Sequence, residues 1–503
     1  MNKKVALIVL DGFGIRKSQY YNAVKNAKTP YFDFLWKNYS HTLIKTQGEY
    51  VGLKKGQFGN SEVGHLNLGS GRIVKQNSTK ISESILNGKF FENKKLIKLI
   101  ESLKKQNSFL HLFGLCSDGG VHSELEHLFA VLKLCKKQNF KNVLIHFITD
   151  GRDTDVHSGI KFLTKLNNFI KNLGVGKVIS VCGRFYAMDR EKNFDRTEKF
   201  LKILTEYESE NKFKSIKEAI NISYEKNITD EFIRPSILID KNYKVCKNDV
   251  ILCFNFRSDR ARQIFERLIE NGYNNLYSFV SYDEKFKDKV KVIFEEENDK
   301  NCLSEVLEKN HKTQLRISET TKYAHVTYFF NLLNERPFKG ENRIIIAGDK
   351  VENFAEKPLM KTKQITEKIS EETKKQDYDF ILVNFPNADM LGHTGNYEKT
   401  IESLEFLDKN LSVLVEDLKQ KNYIVLITAD HGNADIMRYK NGEVCTSHTK
   451  SDAPFIVVDN QKYNLIKNGK LANVSPTILD LLKIKPPKEF TETSLIEYQP
   501  NCK

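Results

Sequence analysis

Apolar residues fall along this chain in short unbroken runs that stop abruptly on polar residues. Residues 5–10 read Val-Ala-Leu-Ile-Val-Leu, residues 380–383 Phe-Ile-Leu-Val, and residues 424–427 Ile-Val-Leu-Ile. Runs of this length predict buried strands. Further strands are predicted at 108–115, 142–149, 176–182, 250–255, 313–317 and 343–347. Helical spacing of the apolar positions separates them, for example over 123–137 and 158–171. Thr29-Pro30 reads as an N-cap followed by Pro at the first helical position, opening a helix through Trp36. Strand and helix alternate almost throughout, without low-complexity segments or short-period repeats. That pattern predicts an α/β protein with parallel sheets covered by helices on both faces.

The points where the runs stop share one chemistry. The first ends on Asp11, and the run at 424–427 leads through Thr428-Ala429 to Asp430-His431. The run at 380–383 leads to Asp389 with His393 four residues on, and His448 precedes another apolar run at 454–458. Carboxyl ends of strands are where open α/β sheets keep their sites. Asp389 and His393, at i,i+4, share one face of a helical turn and could bind one ion, with His448 completing the set. Asp11, Asp430 and His431 could bind another. Mixed oxygen and nitrogen ligands without thiolate favour Mn, Zn or Mg. A nucleophile for such a metal pair is available in Gly59-Asn-Ser-Glu-Val-Gly-His65, where Ser61 sits in a Gly-flanked turn.

With 503 residues the chain is too long for one core and predicts two domains. The metal-ligand candidates fall at its two ends. The middle carries a different group: Asp118-Gly-Gly-Val-His122, Asp150-Gly-Arg-Asp153, Gly183-Arg184, Asp189-Arg190 and Asn255-Phe-Arg-Ser-Asp-Arg260. The simplest topology is an outer metal domain over 1–75 and 299–503, with a second domain over 76–298 inserted into it.

The net charge of +14 comes mostly from Lys. Against that background, Arg152, Arg184, Arg190, Arg257 and Arg260 suggest bidentate recognition of carboxylate or phosphate; interdomain salt bridges are the plainer reading. Asp153 is a candidate general acid or base. His122 could hydrogen-bond a phosphate, and Lys322 could neutralise charge on a transferring phosphoryl group. No basic run is interleaved with stacking aromatics, so nucleic acid is not an expected partner. The positive field suits a small anionic substrate instead. No apolar run approaches the ~20 residues a membrane helix needs, and residues 5–10 are too short for a signal peptide. The eight cysteines are scattered without paired spacing, which fits reduced thiols in the cytoplasm.

Taken in order, these motifs resemble the cofactor-independent (2,3-bisphosphoglycerate-independent) phosphoglycerate mutases of the alkaline phosphatase superfamily. The resemblance is carried by Leu10-Asp-Gly-Phe-Gly14, Gly59 to His65, Ser117-Asp-Gly-Gly-Val-His-Ser123, Asp150-Gly-Arg-Asp-Thr154, Arg184-Phe-Tyr-Ala-Met-Asp-Arg190 and Thr428-Ala-Asp-His-Gly-Asn-Ala-Asp435. It implies an alkaline-phosphatase-like metal domain formed by both termini, with an inserted α/β phosphotransferase and substrate-binding domain. It implies two Mn²⁺ ions, with Mg²⁺, Co²⁺ or Zn²⁺ as substitutes, and no 2,3-bisphosphoglycerate. Asp389, His393 and His448 would hold one ion; Asp11, Asp430, His431 and the Ser61 oxygen would hold the other. Ser61 would take the phosphoryl group of 3-phosphoglycerate, and the 2-hydroxyl of the reoriented glycerate would take it back. Asp153 would shuttle the hydroxyl proton, with Lys322 also catalytic. His122, Arg152, Asp153, Arg184, Arg190, Arg257, Arg260 and Lys322 would bind substrate. Domain closure would exclude water, and the chain would act as a cytoplasmic monomer. Asp155-Val156-His157, Glu124, Asn384-Phe-Pro-Asn-Ala-Asp389 and Gly348 to Asn353 depart from the usual pattern. The rival readings are a phosphatase or a phosphopentomutase of the same superfamily, which the Arg-rich middle region argues against.

Overall fold

The computed structural model describes residues 3–239, 241–295 and 300–497. The chain divides into two compact units, Met1–Gln76 with Asn298–Lys503, and Asn77–Glu297.

The first unit is built on an eight-stranded sheet. In spatial order its strands are Glu341–Ile346, Gln314–Glu319, Phe380–Phe385, Lys4–Leu10, Tyr423–Thr428, Ala453–Val458, Ser40–Lys45 and Gly469–Lys470. The first five are mutually parallel, and Ala453–Val458 runs antiparallel to both its neighbours. Lys4–Leu10 is fully buried from Val5 onward and Phe380–Phe385 throughout, as befits parallel strands with both faces covered. Their register sets the site: Val9 lies opposite both Asn384 and Thr428, so neighbouring strands stop at one level. Asp11 and Asp430 follow those ends within two residues, and Asp389 follows in the first turn of the next helix.

The second unit repeats the plan. Its sheet runs Val290–Val292, Leu276–Ser278, Val250–Cys253, Leu110–Leu115, Val143–Thr149, Lys177–Gly183, Ser236–Leu238 and Asn211–Phe213. All pairings are parallel except that of Lys177–Gly183 with Ser236–Leu238. Helices Leu125–Lys137 and Gly159–Leu173 each bury an apolar stripe in its core. The predicted strands at 108–115, 142–149, 176–182 and 250–255 all form, with no end shifted by more than two residues. The helix predicted to end at Trp36 runs over Pro30–Asn38, with Pro30 at its start. Among the described residues no helix is long and apolar enough to cross a membrane.

Candidate active site

In the first unit the strand ends deliver three buried carboxylates. Asp11 is fully buried; its Oδ2 accepts from Asn384 Nδ2 at 2.7 Å and its backbone N–H donates to Phe385 O. Asp430 follows Tyr423–Thr428 and accepts from the Gly12 and His431 amides through Oδ1. Asp389 opens the short helix Asn387–Thr394 and is 2% exposed. Two glycines make this convergence possible. Gly12 has φ of +77°, and a Cβ there would lie 2.7 Å from Asp389 Cα. A Cβ at Gly64 would lie 2.7 Å from Asp430 Cβ, so the helix Ser61–Ser70 can pack there only with Gly.

Ser61 is the first residue of that helix, capped by the Asn60 side chain on the Val63 amide at 2.9 Å. Its Oγ therefore sits at a helix N-terminus, where the dipole favours negative charge. It lies 3.1 Å from Asp11 Oδ1, 2.9 Å from His431 Nε2 and 2.5 Å from Lys322 Nζ. Lys322 comes from the turn after Gln314–Glu319 and also donates to Asp11 at 2.8 Å and Asp389 at 2.6 Å. Burial disfavours its charge, yet Asp11, Asp389 and Asp430 outweigh burial and hold it above its usual value. Burial likewise opposes protonation of His431, and Asp430, Asp11 and Asp389 override it, lifting its pKa to about 9. So strong a negative field is suited to cations.

The imidazoles point the same way. His393 Nδ1 faces Thr446 O at 2.7 Å and His448 Nδ1 faces Gly59 O at 2.9 Å. A carbonyl only accepts, so each Nδ1 carries the proton in the neutral ring. The two Nε2 lone pairs then face each other at 3.1 Å, and both face Asp389 Oδ1 at 3.2 and 3.3 Å. An electron-pair acceptor at that point reconciles the three groups. Asp430 Oδ2 is buried without a hydrogen-bond partner. Asp11, Asp430 and His431 converge as one candidate metal-binding group, and Asp389, His431 and His448 as another. His431 thus stands in both. The sequence reading places it in one set only and pairs His393 with Asp389 and His448. The donors are all oxygen and nitrogen, a set that fits two hard or borderline divalent ions.

The second unit gathers the Arg-rich motifs at its own strand ends. Arg184 is buried and donates from Nη1 to Asp150 Oδ1 at 2.7 Å and Asp153 Oδ2 at 2.5 Å. Asp150 also accepts from Ser117 Oγ and the amides of Arg152 and Asp153, which fixes the turn. Arg190 Nη1 donates to Asp259 Oδ2 at 2.8 Å, and Arg257 Nε lies 3.1 Å from Asp259 Oδ1. Arg152 is 3.5 Å from Glu231, and Arg260 donates to Met188 O. His122 is 4% exposed, with Nε2 4.0 Å from Asp153 Oδ2 and Nδ1 3.7 Å from Asp259 Oδ1. Burial, with Arg184 beside it, pushes His122 down to about 4, so its ring is neutral near pH 7. Burial and then Arg184, Arg190 and Arg152 lower the pKa of Arg260, which places the guanidiniums in one shared field.

Several residues without an assigned role in the sequence belong to these clusters. His65 faces Ser61 O through Nδ1 at 2.9 Å, and its Nε2 accepts from Asn384 Nδ2 at 3.1 Å. Asn433 donates to Asp389 Oδ1 at 2.8 Å. Asp259 joins Arg190 to Arg257. All four lie inside motifs noted above, so the available signal was the remaining polar positions of those motifs.

A model of the Metalloenzyme superfamily matches residues 3–486. The 2,3-bisphosphoglycerate-independent phosphoglycerate mutase of Rippkaea orientalis is 42% identical to this chain, covering 98% of it and 95% of the relative. That of Francisella philomiragia is 40% identical over 99% of this chain and all of the relative. A crystal structure of Leishmania mexicana phosphoglycerate mutase at low cobalt concentration superposes with a TM-score of 0.71 at 30% identity, covering 99% of this chain and 98% of that one. On these matches, which run nearly end to end, the chain belongs to the 2,3-bisphosphoglycerate-independent phosphoglycerate mutases, metal-dependent isomerases of the Metalloenzyme superfamily.

Proposed function

We propose that the chain interconverts 3-phosphoglycerate and 2-phosphoglycerate through a phosphoserine on Ser61. The observation that carries this is the setting of Ser61 Oγ, at a helix N-terminus within 3.1 Å of Asp11 Oδ1, His431 Nε2 and Lys322 Nζ. The ligands would be Asp389, His393 and His448 for one divalent ion and Asp11, Asp430, His431 and Ser61 for the other, with His431 close to both groups. Two such ions, Mn²⁺ first among them, would supply Lewis-acid polarisation of the phosphoryl oxygens and would favour the ionised serine.

In the forward half-reaction Ser61 loses its hydroxyl proton to solvent, and the Oγ–P bond forms as the bond from phosphorus to the glycerate 3-oxygen breaks. Asp153, as the acid, donates a proton to the departing 3-oxygen. In the return half-reaction Asp153, now a carboxylate, takes the proton of the 2-hydroxyl. The 2-oxygen then bonds to phosphorus as the Oγ–P bond breaks, and Ser61 takes a proton back from solvent. Lys322 offsets charge on the transferring group, while the His122 and Arg cluster holds and orients glycerate. Holding the glycerate separates a mutase from a phosphatase, because a released glycerate would leave water as the acceptor.

Conversion of 3- to 2-phosphoglycerate, coupled to enolase without added 2,3-bisphosphoglycerate, tests the reading. Turnover should stop with chelator and return with Mn²⁺. Release of free phosphate without 2-phosphoglycerate would replace the mutase by a phosphatase.

A further inference from the structure

Asp259 lies in the loop between the strand Val250–Cys253 and the helix Arg262–Glu270, flanked by Arg257 and Arg260. Its carboxylate meets the second unit's cluster from three sides. Oδ2 accepts from Arg190 Nη1 at 2.8 Å, while Oδ1 lies 3.1 Å from Arg257 Nε and 3.7 Å from His122 Nδ1. The last two atoms, His122 Nδ1 and Asp259 Oδ1, are both buried without a hydrogen-bond partner. The backbone holds the loop in register with its neighbours. Phe256 N–H donates to His122 O at 2.8 Å, and Gln263 joins the Asp189–Lys192 turn through Asp189 Oδ1 and the Lys192 amide.

We infer that Asp259 is a positioning residue of the mutase reaction: it aligns the guanidiniums of Arg190 and Arg257 for a substrate anion and directs the Nδ1–H of His122 towards itself. Long, half-exposed Arg side chains lose conformational freedom when they bind an anion, and a resident carboxylate removes part of that cost beforehand. Arg190 donates through Nη1 alone and Arg257 is held as an ion pair, so most of each five-N–H fork is not committed to Asp259 and is available to substrate. With the imidazole proton directed at Asp259, His122 presents the Nε2 lone pair to Asp153 and to any substrate hydroxyl between them. Nε2 then acts as an acceptor, for the acid form of Asp153 or for that hydroxyl. The neutrality of His122 noted above is consistent with a single ring proton. The assignment rests on the mutase reading and adds to it a residue that does not itself touch the reacting atoms.

The test is steady-state mutase kinetics of Asp259→Asn, Asp259→Glu and Arg190→Lys, with Asp259→Asn combined with Arg190→Lys as a double-mutant cycle. Asp259→Asn keeps shape and removes charge. It should raise KM by about tenfold or more, the scale of a lost hydrogen bond to a charged group, while melting temperature holds. Asp259→Glu should restore part of the loss. Because Asp259 acts through Arg190, the effect of Asp259→Asn should shrink in the Arg190→Lys background. Wild-type KM in Asp259→Asn overturns the inference, as does full additivity with Arg190→Lys, or a kcat loss that follows a falling melting temperature. A wild-type enzyme that fails to turn over 3-phosphoglycerate would instead remove the mutase reading itself.

Discussion

In the unit built from both ends of the chain, Asp11, Asp389 and Asp430 are each at most 2% exposed, and Lys322 Nζ bridges two of them. In the 77–297 unit, the side chains of Arg152, Arg190 and Arg257 remain 54, 46 and 49% exposed, each next to a carboxylate of its own unit. Both clusters occupy the carboxyl ends of strands in largely parallel sheets, yet they treat charge in opposite ways. The first concentrates negative charge in a buried cluster, which is tolerable only with cations. The second sets the buried Arg184 beside half-exposed, pre-tethered guanidiniums that could engage and release an arriving anion. On the proposed function, burial would separate a site for resident ions from a site for an exchangeable substrate. The two Asp-centred hubs differ accordingly: Asp11 contacts Ser61, the proposed nucleophile, and Asp259 contacts Arg190, Arg257 and His122, which are proposed to hold substrate.

The sharpest way to break the contrast is Ser61→Ala. It should reduce mutase turnover by on the order of 10⁴-fold or more, as loss of a nucleophile does elsewhere, while circular dichroism and melting temperature stay near wild type. Substantial residual activity would mean that the buried cluster is not the phosphoryl-transfer centre. Gly64→Ala comes next. Its Cβ has nowhere to go but into Asp430, so stability should fall by roughly 1–3 kcal/mol. Metal affinity, read by calorimetry, should fall with it, whereas Gly88→Ala, with open space around it despite a positive φ, should spare metal binding. In the other cluster, Arg257→Lys keeps the charge and loses the fork, and KM should rise by about tenfold. A normal KM would make Arg257 a structural partner of Asp259.

The smallest expected effect is on the pH dependence of stability. His146 is fully buried on the strand Val143–Thr149, and burial, with His111 beside it, holds its pKa well below the ordinary 6.5. Below pH 6.5 the unfolded chain takes up a proton that folded His146 refuses. Its contribution is therefore complete above 6.5 and is lost as pH falls towards the lower folded value. Urea melts of the wild type between pH 7.5 and 5 should show the loss, up to about 1.4 kcal/mol per pH unit for one such site. His146→Asn should flatten that slope. An identical slope would show that other groups, His122 and His325 among them, set it.

Much of this arrangement was legible in the sequence because the central strands are unbroken apolar runs and their ends are abrupt. Residues 5–10 leading to Asp11, and 424–427 leading to Asp430-His431, identify both a buried strand and its chemical terminus. The strand Ser40–Lys45 was not read, because it is polar and mostly half-exposed. Strands of three residues such as Ser236–Leu238 are too short to show any period. At the site, Asp, His and Ser at strand ends announce themselves by residue type. The neighbours that orient them do not: His65, Asn384 and Asn433 act through long-range contacts, 44 to 373 residues apart in sequence. The sharing of His431 between two groups depends on side-chain direction, which residue spacing does not encode.

The most direct measurement of the central claim is a rapid acid quench of the metal-loaded enzyme turning over 3-phosphoglycerate labelled in its phosphate, followed by peptide mapping. Label should appear transiently on the peptide containing Ser61 and be absent from Ser61→Ala. Steady turnover with no protein-bound label, or label on a different residue, would contradict the phosphoserine account.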